Sequence, residues 1–155
     1  MLVALVGLVA AVLARHEHYR TGASPCSINE KWDCGTVNKS TYAVLGGLFV
    51  DTGPGAQPGF LDRKFPAIAK IPVADIGIAG YILLALLAFK RWWHALTVAS
   101  VLAVAFSLYL AHVEKDILEV WCIYCVISLG AISLITLLAV ITSIVQLVRG
   151  RPRAV

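Results

Sequence analysis

Charge is scarce in this sequence: 14% of its 155 residues are Asp, Glu, Lys or Arg, against 59% hydrophobic. A soluble domain devotes about a quarter of its residues to charge and keeps a polar face on each helix. The long apolar stretches here lack that face, which excludes an ordinary soluble globular class. A basic stripe is also missing. The formal net charge of +4 is dispersed or gathered at helix ends, so it is no footprint for nucleic acid. Acidic residues are absent from the stretches 90–91 and 149–153, and there is no internal repeat.

What is present is a series of apolar runs. Residues 72–89, 93–111 and 120–148 each predict a helix able to cross about 30 Å of hydrocarbon at about 1.5 Å per residue. The opening run, Met1 to Ala14, has the length of a signal-peptide core but lacks its basic n-region, so a retained helix over 1–19 is expected. The expected fold is an all-α membrane protein, a single domain over 1–155 built as a four-transmembrane-helix bundle. Lys90 and Arg91, and then Arg149, Arg151 and Arg153, predict cytoplasmic connectors by the positive-inside rule. Both termini would then be cytoplasmic. The loop 20–71 and the short segment Val113 to Glu119 would face outward.

The outer loop is rich in turn formers, as in Ser24-Pro25 and the stretch 51–59. Within it, Asn38-Lys39-Ser40-Thr41 offers a helix N-cap, and Val44, Leu45, Leu48 and Phe49 recur at helical spacing. That pattern predicts a short interfacial helix over 42–50, lidding a pocket or simply packing on the bundle.

Counting spans puts all four cysteines on one side: Cys26 and Cys34 in the outer loop, Cys122 and Cys125 at the outer end of the last helix. That is the side where disulfides persist. Trp121-Cys122-Ile123-Tyr124-Cys125 is a C-x-x-C at a helix start, where the helix dipole favours a thiolate. Glu114, Asp116 and Glu119 lie just before it and would oppose that effect if they approached the sulfur. Cys26 and Cys34, eight positions apart, form a second pair that could relay electrons by thiol exchange. The residues alone leave two rivals open, a pair of structural disulfides and a four-thiolate zinc site, although the C-x7-C spacing is unusual for a zinc knuckle. Covalent c-type haem is disfavoured, since Val126 follows Cys125 where that motif needs histidine.

The loop pair in S-P-C-S-I-N-E-K-W-D-C-G-T-V-N-K-S-T-Y-A-V-L-G-G, the stretch I-P-V-A-D-I-G-I-A-G-Y and W-C-I-Y-C opening the last span together resemble bacterial and archaeal members of the vitamin K epoxide reductase family. The resemblance covers most of the chain. It implies a four-helix bundle around a quinone, with the loop as a cap over the bundle mouth. It also implies roles: Cys125 facing the quinone, Cys122 its exchange partner, Cys34 attacking their disulfide, and Cys26 meeting an external thioredoxin-like protein. The net reaction would oxidise that protein and yield quinol in support of disulfide formation, with vitamin K quinone or epoxide as possible substrates. Many bacterial relatives carry a fused thioredoxin-like domain; here a separate DsbA-like partner is expected. Residues 51–66 look like an insertion. The animal enzymes have a quinone-bonding tyrosine shortly after the C-x-x-C, where this chain reads Val126-Ile127-Ser128-Leu129.

Among other polar residues, Asp75 in the first turn of the second span is a candidate quinone or proton contact. A helix N-terminal acid reaching interfacial water is the plainer reading. His112 is expected to be interfacial, with a proton-donor role as the alternative. Ser40 is expected as an N-cap, and Trp92, Trp93 and Trp121 as aromatic-belt residues.

Overall fold

Four apolar helices account for most of the chain in the computed structural model, which describes residues 1–49, with Phe49 by its backbone only, and 63–149. They are α1 (Leu2–Tyr19), α3 (Val73–Phe89), α4 (Trp93–His112) and α5 (Ile123–Val148), with a short α2 (Cys34–Lys39) in the loop after α1. No strand occurs among the described residues; the extended backbone forms only isolated bridges. Among the described residues, three segments are long and apolar enough to cross a membrane: Leu2–Tyr19, Trp93–Ile117 and Ile123–Val148. The expected span 72–89 forms a helix of 17 residues, shorter than the other three. Large apolar side chains such as Val9, Leu83, Leu102, Leu137 and Ile144 are exposed on the outside of the bundle. Water would penalise such a surface and hydrocarbon would not, so this is an integral membrane protein.

Inside, α1 packs against α3 and α5, and α4 packs against α5. The core joins Ala11, Tyr81, Leu84, Leu96, Ile132 and Ala139. Gly7 allows a close approach of α1 to α3: a Cβ there would lie 2.2 Å from the Tyr81 ring. Tyr81 in turn donates from its hydroxyl to the Ser128 carbonyl at 2.8 Å, tying α3 to α5. Thr97 and Ser143 hydroxyls meet at 2.9 Å between α4 and α5, and the Thr136 hydroxyl donates to the Ser100 carbonyl at 3.2 Å. Small polar residues of this kind join helices where lipid supplies no hydrophobic drive.

The loop departs from expectation. Short α-helices lie at Cys34–Lys39 and Pro66–Ala69, whereas the described part of the expected helix, 42–49, falls in two 3-10 turns, Thr41–Ala43 and Gly46–Phe49. Two local causes act. Asp33 caps α2 by accepting from the Gly35 amide at 2.9 Å, the usual role of an N-cap acid. Gly47 then folds back so tightly that a Cβ would sit 1.8 Å from the Thr41 carbonyl oxygen, which no continuous helix permits. Ser40 accordingly ends α2, with its hydroxyl donating to the Val37 carbonyl at 2.8 Å, and gives the next turn no side-chain cap. Residues 50–62, which include most of the expected insertion, lie outside the described residues. The loop is pinned at its far side, where the Leu45 amide donates to the Ile71 carbonyl at 3.0 Å and the Tyr109 hydroxyl to the Leu48 carbonyl at 2.9 Å.

The expected outer segment Val113 to Glu119 is also more regular than its composition suggests. Helix α4 runs on through a π turn, Val113–Ile117, before Glu119 adopts φ 54° and turns the chain towards the C-x-x-C. A non-glycine residue in that conformation costs about 1–2 kcal/mol, so the turn is held by its surroundings. Leu118 and Val120 amides donate to the Val113 and Glu114 carbonyls at 3.0 and 3.1 Å.

Candidate functional site

The two cysteine pairs are brought together by backbone. Trp32 and Trp121 form a parallel bridge, with the Asp33 amide donating to the Trp121 carbonyl at 3.1 Å and the Trp121 amide to the Lys31 carbonyl at 2.8 Å. Two residues beyond Trp32 and one beyond Trp121 come Cys34 and Cys122, each at the start of a helix. Both are fully buried in one cluster with Cys26 and Val37, and Cys125 packs against it. Cys26 and Cys34 are joined as a disulfide with Cα atoms 5.6 Å apart, within the ordinary range. Cys122 and Cys125 are free thiols.

Asn38 links the pairs. Standing one turn after Cys34 on α2, its Nδ2 donates to the Cys34 carbonyl at 2.8 Å and to the Cys122 sulfur at 3.4 Å. The side chain is buried, and its backbone carbonyl lies 2.5 Å from His18 Nδ1 at the end of α1. A helix-bundle residue thereby fixes the α2 backbone, and α2 aims an amide donor at a sulfur. Sequence reasoning placed Asn38 in a capping run; its four-residue separation from Cys34 was a signal for the bond to the Cys34 carbonyl, but not for the one to the sulfur.

Glu114 reaches the same sulfurs from the other side. It is 3% exposed, its Oε2 accepts the Cys122 amide proton at 2.9 Å, and it shares one cavity lining with Cys125. Of the three acids expected to oppose a thiolate if they drew near, Glu114 is the one that does so. Cys122, capping α5 just outside its membrane-spanning stretch, is nevertheless held below the ordinary thiol value. The hydrogen bond from Cys125 is the main cause, aided by the Asn38 amide and opposed by burial and the Glu114 charge. The favoured thiolate is therefore Cys122, stabilised by its neighbour's S–H and a helix N-terminus.

Below the cysteines lies a cavity of about 130 Å³. Small side chains open it: Ala10, Ala11 and Ala14 on α1, Ala74 and Gly77 on α3, and Ala111 on α4. Asn38 and Tyr42 lie on its loop side, and Cys125 and Glu114 supply its reactive groups. An apolar chamber with a few convergent polar groups is the usual form of a small-molecule site. Ser128 and Val126 line it, in the stretch where the animal enzymes place a tyrosine. Asp75 is not among the lining residues; it pairs with Arg15 of α1 at 2.5 Å, so its plainer reading as a helix-terminal acid has a partner in the structure. His112 is exposed and pairs with Asp116 at 2.6 Å. Among the described residues no three metal-ligating side chains converge.

Comparison of the whole chain with curated proteins finds none that matches. The family model described as the vitamin K epoxide reductase family matches residues 1–143 of the 155. With nearly the whole chain matched and both cysteine pairs gathered at one end of a membrane helix bundle, this protein belongs to the vitamin K epoxide reductase family.

Proposed function

We propose that this protein is a membrane thiol:quinone oxidoreductase. Family membership supports an oxidoreductase that works with thiols and quinones. The observation that carries the finer reading is the Trp32–Trp121 bridge, which sets the loop disulfide beside Cys122 while Cys125 faces an apolar cavity. Electrons enter at Cys26 from a separate extracytoplasmic thioredoxin-like protein of the DsbA kind. Cys34 then attacks the Cys122–Cys125 disulfide, and the restored dithiol reduces a quinone in the cavity. The observed arrangement, with loop pair bonded and C-x-x-C pair free, corresponds to the stage after that transfer. Four spans, cytoplasmic termini and extracytoplasmic cysteines complete the reading, supported by Lys90 and Arg91 at the end opposite the sulfurs.

The Asn38 amide and the α5 N-terminus steady the Cys122 thiolate. The small residues of α1 and α3 leave an apolar space beside Cys125, with Asn38 and Tyr42 of the loop on its near side. The test uses Cys122→Ser and Cys125→Ser in native membranes, a reduced thioredoxin-like donor, and optical detection of quinone reduction. Loss of turnover in both supports the relay. If the unmutated protein reduces no quinone with several donors, and the substitutions only lower thermal stability, the disulfides are structural and this reading is dropped.

A further inference from the structure

Glu114 is a buried carboxyl that the relay does not use. It lines the cavity together with Cys125, and its Oε2 accepts from the Cys122 amide. The π turn Val113–Ile117 presents it, and such turns are frequent at functional sites. None of the ion pairs among the described residues involves it. Burying an unpaired charge is costly. A carboxyl so placed suits the gain and loss of a proton better than permanent ionisation.

Resting on the thiol:quinone reading, we infer that Glu114 is the proton carrier of the Cys122/Cys125 centre, holding one of the two protons that accompany the electron pair to the quinone. In the reduced centre Cys125 keeps its S–H, hydrogen-bonded to the Cys122 thiolate, and the second proton sits on Glu114. The quinone takes two electrons as the Cys122–Cys125 S–S bond forms. The Cys125 S–H proton and the Glu114 carboxyl proton pass to the two quinone oxygens, giving quinol and leaving a carboxylate. When the Cys26/Cys34 dithiol reduces that disulfide and becomes a disulfide itself, its two protons restore the Cys125 S–H and the Glu114 carboxyl. Every electron and proton is accounted for.

The titratable groups facing Glu114 are few. From α5 and its cap they are Cys122 and Cys125, with Tyr124 in the cavity lining; from α1 there is His18 and from the loop Tyr42. Lys115 and Asp116 share its own turn. Among the described carboxyls, Glu114 alone lies in the cavity lining with the sulfur.

The experiment compares Glu114→Gln and Glu114→Asp with the unmutated protein in membranes. Glutamine keeps an oxygen to accept the Cys122 amide but carries no transferable proton. The expected result is quinone turnover slowed about 100-fold, the usual scale of a lost acid–base group. Thermal stability should remain, and Glu114→Asp should recover part of the rate with a displaced pH profile. Turnover of Glu114→Gln within about twofold of the unmutated rate would overturn the inference. So would an unchanged pH profile in Glu114→Asp, which decides the matter should the glutamine variant not fold. Alkylation of the C-x-x-C thiols against pH, with Cys26 and Cys34 changed to serine, separates this inference from the function itself. Loss of the carboxyl whose charge opposes the Cys122 thiolate should move that midpoint down. If no quinone is reduced by the unmutated protein, the oxidoreductase reading falls, and an unmoved midpoint overturns the Glu114 role on its own.

Discussion

Helices α2 and α5 start side by side from one bridged pair, Trp32 and Trp121, and each opens at a cysteine, yet their ends are satisfied in opposite ways. At α2 the work is local. Asp33 accepts from the Gly35 amide and from the Ser27 and Thr36 hydroxyls, all within six residues, and the partly exposed turn closes on itself. At α5 the residue at the cap is Cys122, which offers no side-chain cap, and its own amide is taken by Glu114 from the preceding helix. A self-capped start makes a stable loop helix. A start whose cap position holds a thiol leaves the positive end of the dipole for a sulfur, and so belongs to chemistry.

The difference can be broken from the α5 side first. Glu114→Ala should destabilise by about 1–3 kcal/mol, because it strands the buried Cys122 amide; thermal unfolding in detergent measures it. Asn38→Ala removes one donor to the Cys34 carbonyl and one to the Cys122 sulfur, at about 1 kcal/mol. Its sharper signature is a Cys122 thiol that ionises at higher pH, seen as slower alkylation at neutral pH. Equal alkylation rates would mean that the α2 amide does not act on the sulfur. Asp33→Ala should cost about 1 kcal/mol, the usual price of a lost cap, with the loss confined to hydrogen exchange in α2.

The smallest effect is a pH dependence. Hydrogen bonds from Ser27 and Thr36 hold the Asp33 carboxyl below its usual value. A depressed acid contributes stability that is complete above the unfolded value near 3.8 and is lost as pH falls through the lower folded value. Exchange protection of α2 should therefore decline only in acid below about pH 4. Asp33→Asn should remove that decline, and a decline that persists would assign it to another group.

Legibility followed distance along the chain. The C-x-x-C at the start of the last span could be read because its neighbours in space are its neighbours in sequence. The loop helix was misplaced because Val44, Leu45, Leu48 and Phe49 carry helical spacing, whereas the Gly47 close approach that breaks the run depends on where Thr41 lies in three dimensions. The Asp33 cap was present in the sequence as Asp-Cys-Gly-Thr and is as local as any capping signal. Asn38 and Glu114 differ again: an amide reaching a sulfur 84 positions away has no sequence signature, and a carboxylate eight residues before a cysteine reaches it only because a π turn and the left-handed Glu119 redirect the chain.

By itself the sequence determined that the chain is a helical membrane protein, that its sulfurs share one end, and that Cys122 and Cys125 open the last helix. These follow from hydropathy, helix periodicity and parity of crossings, each a property of short stretches or of their count. Only the tertiary structure decided which helix lies in the loop, that Asp75 meets Arg15, that small residues from three helices leave a cavity beneath Cys125, and that Asn38 and Glu114 flank the reactive pair. The physical reason is that a hydrogen bond or a cavity exists between surfaces, and helices several turns apart in sequence acquire a common surface only when they pack.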